Sequence, residues 1–167
     1  MRLSIFILFI AVTFNSCKKD AAIEEGDYAF IGGEIINPID NTVLLFKSNI
    51  IIDTIRLDQQ NRFLYKIKDL ESGLYAFKLQ AYNAIEFQLA LLEPNDSIML
   101  RLNTMDFDES LVYTGKGAKK NNYLINMFLK NEEDNKKFLE YSQLEPKLFE
   151  SHLDSLSAIR NNNFQEF

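Results

Sequence analysis

One cysteine and one histidine, Cys17 and His152, bound the chemistry open to this chain. A redox pair needs an attacking and a resolving thiol, and there is no C-x-x-C. A zinc site of mixed histidine and cysteine ligands needs more of each than the chain holds. Hydrolysis by an activated nucleophile would fall to His152 with its neighbours Ser151, Asp154 and Ser155, provided that a hydroxyl lies in hydrogen-bond reach of the imidazole. These residues share one stretch of helical periodicity, however, where a half-exposed helical histidine is the plainer expectation.

Other stretches are weaker still. "GKG" at 115–117 has the place of a phosphate loop, after a strand and before a helix, but lacks the G-x-x-x-x-G-K-[ST] spacing. A strand-to-helix turn with relaxed φ is expected there. "DFDES" at 106–110 has the carboxylates of a calcium loop without the central glycine and distal glutamate of an EF-hand, which leaves a solvated acidic loop. Tyr65, Tyr75, Phe77 and Phe87 could line a sugar platform, yet alternation puts them on the inward side of strands, as core. No catalytic, metal-binding or cofactor-binding residue is assigned.

The 167 residues suffice for one domain with an appendage, and 47% hydrophobic against 25% charged is the balance of a folded protein. Fourteen Phe and seven Tyr supply core bulk without any Trp. A net charge of -6 with no dense basic patch argues against nucleic acid as a partner, because neutralising phosphates requires clustered Lys and Arg.

The elements that must position any site alternate with period two from Tyr28 to about Thr114. Strands are expected at 28–36, 42–46, 50–57, 62–67, 74–79, 85–91, 98–102 and 110–114. "DQQN" at 58–61 is expected to close a hairpin, and "ESG" at 71–73 and "EPND" at 93–96 to form further turns between antiparallel neighbours. "IGGE" at 31–34 suggests a bend or bulge in the first strand. With no helix-length segment between strands, parallel crossovers are not expected. The fold class is therefore mainly β with C-terminal helices: an antiparallel β-sandwich or small open barrel of about seven or eight strands over 28–116, then two helices over 117–167. "KNEEDNKK" at 130–137 is polar all round and is expected to be solvated or to interrupt the first helix. The apolar stripe of Phe149, Leu153, Leu156 and Ile159 runs on to Phe167 without a capping glycine, which suggests a linker to a further domain.

At the other end, Arg2 precedes an apolar run, Leu3–Phe14, short of the ~20 residues that span a bilayer but of signal-peptide length. Asn15-Ser16-Cys17 follows, and Ser16-Cys17 resembles the end of a bacterial lipobox. The resemblance implies a lipoprotein signal peptide at 1–16, cleavage before Cys17, acylation of Cys17 as a membrane anchor, and a polar tether over 17–27. Several acyl chains anchor a protein stably where one does not. The expected location is a bacterial cell envelope, lipid-anchored at the periplasmic face or the outer-membrane surface.

The order of features over about residues 30–125 resembles the N-terminal β-domain of TlpA-type, thioredoxin-like thiol-disulfide oxidoreductase lipoproteins of Bacteroidota. The matching stretches are "FIGGEI" at 30–35, Ile52-Asp53-Thr54 followed by "DQQNRFLYKI", Gly73-Leu74-Tyr75, "LLEPNDSIMLRL" at 91–102 and "TGKGAKKNNYL" at 114–124. Within these, "EPNDSI" and "TGKGAKKNN" are the most specific. The resemblance implies an envelope lipoprotein organised around a C-terminal thioredoxin-like domain, whose C-x-x-C has no counterpart in this sequence. A stand-alone lipoprotein that binds a glycan, peptide or protein partner on the sandwich is the competing expectation.

Overall fold

The alternating stretches become strands almost residue for residue. The structure, a computed structural model, describes residues 26–81 and 84–165. Its strands are β1 (Ala29–Ile36), β2 (Thr42–Lys47), β3 (Ile50–Arg56), β4 (Arg62–Ile67), β5 (Gly73–Gln80), β6 (Ile85–Leu92), β7 (Ser97–Asn103) and β8 (Val112–Lys116), followed by α1 (Ala118–Tyr141) and α2 (Pro146–Gln165). The strands form two four-stranded sheets, ordered β4-β1-β7-β8 and β3-β2-β5-β6, with no closed barrel. Ile31, Ile35, Ile98 and Leu102 from the first sheet share one core with Val43, Leu45, Phe77 and Leu92 from the second. Burial of each such side chain contributes about 1.5–3 kcal/mol.

The chain alternates between the sheets, and this corrects two expectations. "DQQN" forms a tight local turn, with the Asn61 amide on the Asp58 carbonyl at 3.0 Å. It does not close a hairpin: β3 pairs with β2, whereas β4 pairs with β1 in the other sheet. "ESG" and "EPND" likewise carry the chain from one sheet to the other. The adjacent strand pairs are β2–β3, β5–β6 and β7–β8. The first turns through Ser48 and Asn49, both at positive φ, the requirement of the turn that matches strand twist.

Contrary to the expectation of antiparallel pairing throughout, β1 runs parallel to β7. No dedicated crossover helix is needed, because the whole second sheet lies in the connection between them. This pairing also explains "IGGE". Its register with both neighbours is unbroken, so the predicted bulge is absent; the shift in strand register falls instead between β2 and β3, where Leu45 faces Asp53 and Phe46 faces Ile51, leaving Ile52 of β3 as the extra residue. At Gly33 (φ 154) an added Cβ would lie 2.8 Å from the Leu100 carbonyl carbon of β7 and closer still to its oxygen. Glycine is there to let the parallel strand approach.

Helix α1 runs unbroken through "KNEEDNKK", which is mostly exposed, so of the two expectations the solvated helix holds and the interruption does not. One residue of that polar run, Asp134, is buried beneath α2, where Arg160 Nε donates to its Oδ2 at 3.1 Å. Arg160 also donates to Asn131 Oδ1 at 3.0 Å, and Phe138 meets Phe149 edge-on at 5.7 Å. Pro146 opens α2 at the first helical position, where its missing N–H costs nothing. Removing the guanidinium would leave a buried carboxylate unpaired. Arg160→Met is therefore expected to destabilise the helical pair by about 1–2 kcal/mol, the low end because the arginine side chain is 46% exposed. Amide hydrogen exchange should quicken in α2 and not in the sandwich; uniform quickening would contradict this local role.

Candidate functional site

The two stretches most specific to the resemblance, separated in the chain by most of β7 and the loop after it, come together at the start of α1. Gly117 (φ 94) turns the chain out of β8, and an added Cβ there would meet the Asp96 carboxylate at 2.7 Å. Asp96, in the "EPND" turn, is buried and accepts the Glu93 amide at 2.8 Å. Lys120 Nζ lies 2.6 Å from Asp96 Oδ2 and 2.6 Å from Glu93 Oε2. Burial opposes the charge on Lys120, but these two hydrogen bonds prevail and hold its ammonium above the ordinary lysine value. The pair's contribution is thus complete below the ordinary lysine range and disappears only as pH rises through the raised value.

Beside Lys120, two consecutive asparagines take hold of the two sheets. Asn121 is fully buried: its Oδ1 accepts the Leu91 amide at 2.7 Å, and its Nδ2 donates to the Leu91 carbonyl at 3.0 Å and the Gly117 carbonyl at 2.9 Å. Asn122 does the same for Tyr113, accepting its amide and donating to its carbonyl, both at 2.8 Å. Leu91 is in β6 and Tyr113 in β8, and these are the edge strands of the two sheets. Each amide side chain serves the peptide group that a further strand would have served. Tyr113, itself fully buried, adds a third link by donating its hydroxyl to the Leu89 carbonyl at 2.9 Å; burial pushes its phenol pKa far up, so it stays a donor.

Past this joint, a cleft of about 400 Å³ opens between β6 and α1. Its walls include Phe87, Leu89, Leu124 and Phe128, together with Gln88 and Asp108, which are joined by a hydrogen bond. Burial, then the nearby charges of Glu109, Glu132 and Glu86, push the Asp108 carboxyl above the usual aspartate range, against the Gln88 hydrogen bond. The cleft corrects the expected inward placement of Phe87, which is 55% exposed. Register sets this: Phe77 points inward and is paired with Gln88, so Gln88 and Ala90 face in and Phe87 and Leu89 face out. Tyr75 and Phe77 are core as expected, and Tyr65 packs partly buried against it.

The histidine constellation does not assemble. His152 Nδ1 lies 2.7 Å from the Leu148 carbonyl one turn back, and its ring tilts against Tyr141 at 4.3 Å. The nearby Ser155 hydroxyl is committed to the Ser151 carbonyl at 2.9 Å, so no nucleophile–base pair forms on α2. "GKG" is the expected turn, its φ values positive at both glycines. In "DFDES", Ser110 Oγ accepts the Asn103 amide at 2.8 Å, and among the described residues no three His, Cys, Asp or Glu side chains converge as a metal site. Among those residues no helix is long and apolar enough to cross a membrane. Cys17, the signal sequence and most of the tether lie outside the described residues.

No protein-family model matches the chain, and comparison with curated proteins gives no significant match.

Proposed function

We propose that this chain is the membrane-proximal part of a bacterial envelope lipoprotein, held by acylated Cys17, whose sandwich is a mount for a thioredoxin-like module of the TlpA type. The single observation that supports this reading is the joint at the start of α1. Asn121, Asn122 and Lys120 fasten that helix to the edge strands of both sheets and to the "EPND" turn, which fixes where the helix starts and in which direction it leaves. The stretches that carry the resemblance thus act as positioning residues, and thiol chemistry belongs to the module that they position.

Two measurements test it. In native cells labelled with radioactive palmitate, the protein should carry label and partition with membranes, and Cys17→Ser should lose both. An unlabelled wild-type protein whose Cys17 reacts freely with a thiol reagent would overturn the anchor. Reading the gene beyond codon 167, together with co-purification from envelopes, should yield a C-x-x-C domain in the same chain or a thioredoxin-like companion. Neither being found would overturn the mount.

A second reading, a lipoprotein that binds a partner through the sandwich, is favoured by the apolar cleft beside β6.

A further inference from the structure

Side chains of consecutive strand residues point to opposite faces of a sheet. The cleft is nevertheless lined by Glu86, Phe87, Gln88 and Leu89 in turn. A space that touches both faces of β6 lies along its edge, and β6 is the edge of its sheet. That edge is filled in part. The Leu91 amide and carbonyl are taken by Asn121, and the Leu89 carbonyl by Tyr113. In an antiparallel strand, every second residue turns its peptide groups to the same side. Phe87 therefore presents its amide and carbonyl on the side that Leu89 and Leu91 use, and there the cleft opens.

Chemistry around this stretch is of two kinds. The walls are apolar: Leu89, Phe87, Leu124 and Phe128, the last two from α1. The charged lining is acidic: Glu86 and Asp108 line the cleft, and Glu109 and Glu132 stand close enough to act on Asp108. Among the described residues no lysine or arginine lines it.

We propose that this cleft receives an extended peptide segment that is apolar and basic by turns, adding along the edge of β6 at Phe87. The peptide's main chain takes up the amide and carbonyl of Phe87 as a strand does, an apolar side chain enters between Phe87 and Phe128, and an adjacent lysine or arginine meets Glu86 and Asp108. Strand addition derives affinity from main-chain hydrogen bonds and selectivity from alternate side chains. A free small cation would use the carboxylates but leave the strand edge unmet, which is why a peptide fits better. This supplies a ligand for the second reading above. It stands on the cleft alone, so it and the Cys17 anchor can fail separately.

The test is fluorescence anisotropy of the purified full chain with a labelled, end-blocked peptide of alternating lysine and valine. Because the protein carries a net charge of -6, bulk attraction must be separated from docking. Three control peptides do this: lysine alternating with glycine, glutamate alternating with valine, and the first peptide with alternate amides N-methylated. Each control should bind at least tenfold more weakly, and the double variant Glu86→Gln, Asp108→Asn should weaken the parent peptide about tenfold with the fold unchanged by circular dichroism. Equal binding of the lysine–glycine peptide would reduce the effect to bulk charge. Equal binding of the N-methylated peptide would remove strand addition, and no measurable binding of the parent would end the proposal.

Discussion

Gly33→Ala is expected to destabilise the protein by about 4 kcal/mol or more, a large share of the roughly 5–15 kcal/mol that holds a domain folded. Two costs add. The backbone at φ 154 strains any side chain, and the new Cβ would be forced against the Leu100 carbonyl, which belongs to main chain and cannot rotate aside. Relief requires β1 and β7 to move apart, and these are the two central strands of their sheet. Urea unfolding followed by circular dichroism measures this. A midpoint shift equivalent to under about 1 kcal/mol would show that the sheet can widen and that the close approach of β7 is not what demands glycine.

Asn121→Ala is the second large loss, expected at about 3 kcal/mol. The side chain makes three hydrogen bonds, and its removal leaves the amide and carbonyl of Leu91 buried without partners, at about 1–3 kcal/mol for each unsatisfied group. Asn121→Asp makes a sharper variant. A carboxylate still accepts the Leu91 amide but donates to neither carbonyl, and it buries a charge. Its folded-state pKa is then raised above the unfolded value, so the penalty grows as pH rises through that range and is relieved as pH falls. Stability of this variant should therefore improve relative to wild type on acidification from neutral pH to about 4. A constant gap across that interval would mean that the site admits water and is not buried in solution.

How far the sequence alone reaches is clearest in the strands. The strands announced themselves by alternation, and "RFLYKI" or "LYAFKL" needed only period two to be placed and faced correctly. β6 was found by the same rule and faced the wrong way. Ile85, Phe87 and Leu89 read as a core face, but Gln88, Ala90 and Leu92 occupy it, because β5 dictates which residues of its partner point inward. A pleat shared between strands is a non-local constraint, and no local pattern of β6 contains it. Topology was lost for a related reason: "DQQN" and "EPND" are good turns wherever they stand, and turn chemistry does not say which sheet the next strand joins. The cleft was invisible on both counts, since it exists only where an outward-facing apolar strand edge meets α1. The joint left a fainter trace. Two adjacent asparagines in the first turns of a helix are poor helix formers, and such a pair signals that side-chain amides are wanted for a task outside the helix.

The parallel pairing of β1 with β7 also sets a schedule. Phe30 meets Ser97, so β1 cannot complete its neighbourhood until nearly all of the sandwich has followed it from the ribosome. In the interval β4 covers one side of β1 and the other lies bare, an apolar ribbon with its hydrogen-bonding groups unmet. Contacts of such long sequence separation slow folding, because a large loop must close before the pairing repays it. A nascent chain halted before residue 97 is then a sticky intermediate rather than a small domain, and the cell has reason to keep it unfolded until the last strands arrive.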